Sequence, residues 1–315
     1  MSNIVFIGTS SFAVPILKKI VENNYIPIAV VTRTDKAVGR KKALIATPIK
    51  VLAQQYGLAI YDADKIDDAL IEKLTLLKPD LIVVVAYGKV LPKAILDIPK
   101  IGSVNIHPSL LPRWRGASPL QFTILNGDKT VGVTIMLMDE LLDHGPIIAQ
   151  REVVVPDNTN AIELGDSLSK ISAELLLEIL PKIINKQIKI TEQDHTKATF
   201  TKLLCKEDGL LDCSRPVVEL DRQIRAFYGW PGTFIEILGG QKLKIIQARI
   251  GNSGSIIKIA NVGKLFVDQD KKLGLVCSDG YLLLQAVQLD GKKQISGEEF
   301  INGHRKMLQV VAPEL

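Results

Sequence analysis

"DLIVVVAYG", residues 80–88, is apolar from Leu81 through Tyr87. A strand with one face in water alternates apolar and polar residues, whereas a run apolar at every position must be covered on both sides. The run is far too short to cross a bilayer. Upstream, "NIVFIGT" and "IPIAVVTR" have the same β-type texture. Between these strands lie the helical patterns "SFAVPILKKIVENN", "TPIKVLAQQYG" (ending in Gly57, a good stop) and "DDALIEKLTLLKP". Strands alternating with helices predict a parallel, doubly wound sheet, an α/β Rossmann-like domain. Such sheets bind ligands beyond the carboxyl ends of their strands, near the point where strand order reverses. The first turn, "GTSSFA" (8–13), lacks the G-x-G-x-x-G spacing of a dinucleotide site and reads more simply as a glycine and a Ser/Thr cap opening a helix.

Downstream come "SVNIHP", a short helix in "ASPLQFTILNG", a strand in "VGVTIMLMD", an irregular "ELLDHGP", a strand in "IIAQREVVV" and a helix over 161–184. The first domain is therefore expected over 1–188, a polar connection over 189–207 and a second domain over 208–315. Two domains suit 315 residues, a length beyond which one core stops growing. In the second half, "TFIEILGG", "KLKIIQARI", "GSIIKIANVG", "KLFVDQD", "LGLVCSDG" and "YLLLQAVQLDG" recur between turn signals, the pattern of a small antiparallel barrel. Hydrophobic content of 47% and charged content of 23% are those of a soluble protein. With no signal or transit character in "MSNIVFIGTS", a cytoplasmic location is expected, without membrane attachment. Three scattered cysteines, Cys205, Cys213 and Cys277, suggest neither a disulfide framework nor a zinc site. The four histidines lack metal-ligand spacing, so no metal is expected.

If "SVNIH" is extended, Asn105 and His107 project from one face, and Pro108 ends the strand where this fold places ligands. An amide can donate to a developing oxyanion and an imidazole can exchange a proton near neutrality. Acyl transfer to an amine needs a carboxylate besides, and Asp143 in "DELLDHGP" is the best candidate. Taken singly, each has a plainer reading: a turn-forming Asn, a structural His, a loop acid. His144 could compete as base but has no strand to hold it, and His195 and His304 sit in polar contexts that read as solvated.

"NIHPSLLPRWRGASPLQ", "GVTIMLMDELLDHGPII" and "IRAFYGWPGTF", with "GTSSFAVPIL", "TRTDKAVGRKKALIATPIKVLA" and "AYGKVLP", resemble the methionyl-tRNA formyltransferase family over most of the first 235 residues. The N-x-H-x-S-L-L-P core is shared with the wider folate-dependent formyltransferases, so it is specific for the chemistry and not for the acceptor. The resemblance implies a Rossmann-like formyltransferase domain followed by an OB-like β-barrel that binds tRNA. It assigns catalysis to Asn105, His107 and Asp143, with 10-formyltetrahydrofolate as donor and methionyl initiator tRNA as acceptor. It implies folate contacts at Ser109, Leu110, Leu111 and Pro112, along the backbone of Val85, Ala86, Tyr87, Gly88 and Leu91, and at Asp139. His144 stands where the family commonly has a smaller residue, often Thr.

The basic connection "RTDKAVGRKKALIATP" (33–48) is either a solvated excursion or a phosphate-contacting loop, and beside a catalytic centre Arg40, Lys41 and Lys42 are the candidates for tRNA. The resemblance places Arg40 against the acceptor stem. Arg113, Trp114 and Arg115 either brace their loop or face the acceptor. Competing readings are a formyltransferase acting on a small amine, a hydrolase of formyl-folate and a non-catalytic RNA-binding protein. The chain is expected to act as a monomer.

Overall fold

The computed structural model describes residues 2–38, 43–237, 240–251, 262–268 and 270–308. Seven strands form the first sheet: β1 (Ile4–Gly8), β2 (Ala29–Thr32), β3 (Ile60–Asp62), β4 (Leu81–Val85), β5 (Gly102–His107), β6 (Thr130–Leu137) and β7 (Ile147–Val154). Their order is β7-β6-β5-β4-β1-β2-β3. The five strands from β3 to β5 are parallel, while β6 and β7 run antiparallel to their neighbours. Strand order reverses at β1, between β2 and β4.

All five residues of β4 are buried, as the apolar run requires. Ile82 and Val84 join Val5 and Ile7 of β1 and Val31 of β2 in one cluster with Leu70, Leu74, Ile95 and Leu96. Leu70 and Leu74 come from helix α3 (Asp68–Leu77), Ile95 and Leu96 from the short α4 (Lys93–Leu96). The alternate residues Leu81, Val83 and Val85 are equally buried on the opposite face. Helices α1 (Val14–Glu22) and α2 (Pro48–Gln55) contact each other, and α2 packs on β2. Thr47 caps α2, accepting from the Lys50 N–H at 3.1 Å, and its hydroxyl pairs with that of the buried Thr32 at 2.8 Å. The turn after β1 departs from expectation. Ser10 makes no side-chain cap bond, and Thr9 instead donates to the Tyr87 carbonyl.

The chain divides into two units. One comprises Met1–Pro119, Lys129–Val155 and Leu164–Lys202; the other takes Leu120–Asp128, Pro156–Glu163 and the chain from Leu203 onward. Of the polar connection expected over 189–207, residues 189–202 group with the first unit. Thr191 pairs with Ile147 and Phe200–Thr201 forms a parallel ribbon with Arg115–Gly116, so backbone pairing ties this stretch to the first unit.

In the second unit the strands are β8 (Thr233–Ile237), β9 (Gln241–Ile250), β10 (Leu265–Val267), β11 (Leu273–Val276), β12 (Tyr281–Leu289) and β13 (Ile295–Ser296). They form an antiparallel half-barrel sheet, β8-β9-β12-β11-β10, with β13 on β12. Its core gathers Leu220, Leu243, Leu275, Leu282, Val287 and Phe300. Most of the strand expected in "GSIIKIANVG" lies outside the described residues. No helix among the described residues is long and apolar enough to cross a membrane.

Candidate active site

β5 pairs with β4 only from Gly102 to Asn105, but with antiparallel β6 as far as His107. The strand therefore outruns its parallel neighbour, carrying His107 past the last residue of β4. Asn105 and His107, two apart, converge on one carboxylate oxygen. Asn105 Nδ2 donates to Asp143 Oδ1 at 3.2 Å, and His107 Nδ1 lies 3.6 Å from the same oxygen. The other oxygen, Oδ2, accepts the Gly116 N–H at 2.8 Å. His107 and Asp143 are buried, at 5% and 7% exposure, so their pairing is little screened.

The far side of the imidazole fixes its chemistry. His107 Nε2 lies 2.9 Å from the Trp114 carbonyl oxygen. A carbonyl can only accept, so Nε2 carries the proton and Nδ1 is the edge left for proton exchange. Trp114 (φ 60) and Asp143 (φ 50) both adopt the left-handed conformation that side-chain-bearing residues rarely use, as does Ala86 (φ 45) at the end of β4. Three such residues at one sheet edge mark a backbone shaped for the site rather than for local comfort. Gly116 (φ +115) is required there, because a Cβ would sit 2.6 Å from the Thr201 carbonyl oxygen.

The loop from Pro108 to Pro112 is held from beneath. Thr134 of β6 donates to the Ser109 carbonyl and accepts the Leu111 N–H, while Gln150 of β7 donates to the Leu111 carbonyl. Ser109 and Leu111 are buried, and Leu110 and Pro112 are partly exposed. At the end of β4, Ala86 and Gly88 are exposed, while Val85, Tyr87 and Leu91 turn their side chains inward. The Tyr87 hydroxyl is spent on the Ala63 carbonyl at 2.9 Å. Of this stretch, only Ala86 and Gly88 among these five present an open surface.

Of the alternatives left open for Arg113–Arg115, packing decides that of Arg115. The Arg113 guanidinium lies over the Trp114 ring at 4.3 Å, and Trp114 offers its carbonyl to His107. Arg115, 4% exposed, braces the loop: Nε and Nη2 donate to Gln193 Oε1 and Nη2 approaches His195 Nδ1 at 2.8 Å. Burial lowers the Arg115 pKa below its ordinary value, with Asp143 and Asp139 opposing. His195 is not merely solvated, as expected, but stacks on His144 with centroids 4.1 Å apart. His144 Nδ1 in turn contacts Asp139 Oδ2 at 2.6 Å, which commits this acid to the loop. Gln193, Thr199 and Thr201 escaped the sequence reading because they stand in an aperiodic polar stretch.

Arg40, Lys41 and Lys42 lie outside the described residues. On either side of them Lys36–Val38 and Ala43–Ile45 pair as an antiparallel ribbon, where a plain loop was expected. Lys50 Nζ joins Asp35 (2.8 Å) to Asp62 (2.7 Å) beside the ribbon's first strand, and these hydrogen bonds hold its ammonium pKa above the usual value. Among the described residues no group of His, Cys, Asp and Glu could hold a metal ion.

Residues 2–180 match the model of the formyl transferase family and residues 203–305 that of the formyl transferase C-terminal domain. The methionyl-tRNA formyltransferase of Geobacter sulfurreducens is 37% identical over 307 residues, covering 96% of this chain and 94% of its own. That of Roseiflexus castenholzii is 41% identical over 304 residues, covering 96% of each. The chain belongs to the methionyl-tRNA formyltransferase family. Solved structures share this family's fold at low identity. HypX from Aquifex aeolicus in complex with tetrahydrofolic acid aligns with a TM-score of 0.65 and 17% identity over 98% of this chain, which spans about half (48%) of HypX. An N-formyltransferase from Helicobacter canadensis, in complex with folinic acid and dTDP-3-aminofucose, aligns at 0.66 and 18% identity over 94% of this chain and 100% of its own.

Proposed function

We propose that this methionyl-tRNA formyltransferase family member moves a formyl group from 10-formyltetrahydrofolate to the α-amino group of methionyl initiator tRNA. The observation that carries this reading is the convergence of Asn105 and His107 on one oxygen of buried Asp143. The curated relatives supply the acceptor, since they bear the name methionyl-tRNA formyltransferase at 37–41% identity.

The bound donor supplies an electrophilic formyl carbon. Around it, the second amide hydrogen of Asn105 and a protonated His107 Nδ1 stabilise the charge that grows on the formyl oxygen as the amine attacks. Asp143 stabilises the imidazolium, whose Nδ1–H gives its proton to the departing folate nitrogen and is restored by the proton that the attached amine loses. Exposed backbone at Ala86 and Gly88 and the Ser109–Pro112 loop flank this centre and would hold the folate, with Asp139 ordering the neighbouring turn. Arg40, Lys41 and Lys42 are assigned to the tRNA.

The test is incubation of the purified protein with 10-formyltetrahydrofolate and methionyl initiator tRNA, followed by assay of N-formylmethionyl-tRNA. Formylated initiator is expected. Absence of that product, with transfer to an amino sugar instead, overturns the acceptor assignment and leaves a small-amine formyltransferase.

A further inference from the structure

The geometry points to Gln193 as a positioning residue that holds the Asp143 carboxylate in place for His107 by fixing the backbone of the Asp143 loop. The inference rests on the formyl-transfer reading of Asn105, His107 and Asp143 and extends it to a residue that touches none of the reacting atoms.

A primary amide has two N–H hydrogens and one carbonyl oxygen, and Gln193 commits all of them. Nε2 donates to the carbonyl of Asp143 at 3.0 Å and to that of Gly145 at 2.7 Å. Oε1 accepts from Arg115 Nε at 3.2 Å and Nη2 at 2.7 Å. The side chain is 4% exposed, so water cannot substitute for these partners. The two carbonyls flank His144 and converge on one nitrogen, which pins both sides of the turn. Asp143 stands in that turn in the left-handed conformation, at φ 50.

The carboxylate is gripped independently from the other end. Oδ2 accepts the Gly116 N–H, and Gly116 follows Arg115, whose guanidinium is anchored on Gln193. One amide thus ties together the two segments that fix Asp143, its own loop and the Arg115–Gly116 strand. Glycine at 145 permits the tight turn, since a Cβ there would fall 2.0 Å from the Leu137 carbonyl oxygen. A glutamine serving only to satisfy buried Arg115 would need its oxygen alone. Both of its N–H groups are directed instead to the catalytic loop.

The experiment compares Gln193→Glu and Gln193→Ala with the full-length wild type. Glutamate keeps the length and the acceptor for Arg115 but removes both donors to the loop; alanine removes everything. Thermal unfolding, steady-state kinetics with 10-formyltetrahydrofolate and methionyl-tRNA, and amide exchange over residues 139–146 are measured. For Gln193→Glu we expect a folded protein with a lowered Tm, an unchanged KM for methionyl-tRNA, kcat lowered about 100-fold and faster exchange across the loop. A folded Gln193→Glu protein with wild-type kcat and exchange overturns the proposal. Failure of that variant to fold overturns it equally, because the amide would then serve stability. Exchange is read without substrate. A wild type that does not formylate methionyl-tRNA therefore defeats the functional reading, while the loop's dependence on Gln193 is still decided.

Discussion

At the residue scale, the centre depends on which atoms are already occupied. His107 gives its Nε2 proton to a main-chain carbonyl, which leaves Nδ1 as the working edge and places it beside Asp143. Replacing Asn105 with alanine removes one preorganised donor and should lower kcat by about two to three decades, with Tm little changed because Asn105 is only half-buried. His107→Ala should lose a similar amount or more; near-wild-type kinetics in a folded His107→Ala protein would remove the imidazole from the mechanism. The cysteines behave oppositely. Burial pushes the Cys213 thiol up to about 11 and the Cys277 thiol up to about 12; a hydrogen bond to Glu207 also raises the Cys205 thiol, but Cys205 is exposed. The thiolate is the reactive form. Iodoacetamide at pH 8 should therefore label only Cys205 in the native protein, and mass spectrometry should find the other two labelled only after unfolding.

At the element scale, two devices hold the site's surroundings. One is the overhang of β5 past β4, which carries His107 to the sheet edge. The other is the start of α2, where Thr47 caps the helix and bonds the buried Thr32 hydroxyl. Thr47→Ala forfeits the cap and leaves Thr32 without this partner, so about 1–2 kcal/mol of stability should be lost, read as a lower denaturation midpoint in urea. The helix expected over 161–184 is observed as Ala161–Ile184, because 24 residues of helical periodicity outweigh local ambiguity. β3, with three residues, is too short to show a period, and its place beside β2 comes from parallel pairing alone.

At the scale of the whole molecule, the first unit is organised around a sheet whose central strands are buried on both faces. Ile82 sits in the middle of one face with no exposure at all. Ile82→Ala should destabilise the protein by roughly 2–5 kcal/mol, while folded enzyme retains its kcat because the strand ends do not move. Differential scanning calorimetry combined with a kinetic assay well below Tm checks both halves of that statement.

The sequence alone determined what is local and periodic. An unbroken apolar run made β4 a central strand, alternation with helices made the first five strands parallel, and period two put Asn105 and His107 on one face. Contacts that join distant residues without a period follow instead from how the elements pack. The His107 tautomer depends on a carbonyl seven residues away, held in turn by Thr199 accepting the Trp114 N–H. The placement of Asp143 depends on Gln193, in a stretch whose polarity reads as solvent-facing although its amide is buried against Arg115. A buried polar side chain and an exposed one are spelled with the same letter, and only the partners that desolvate it tell them apart.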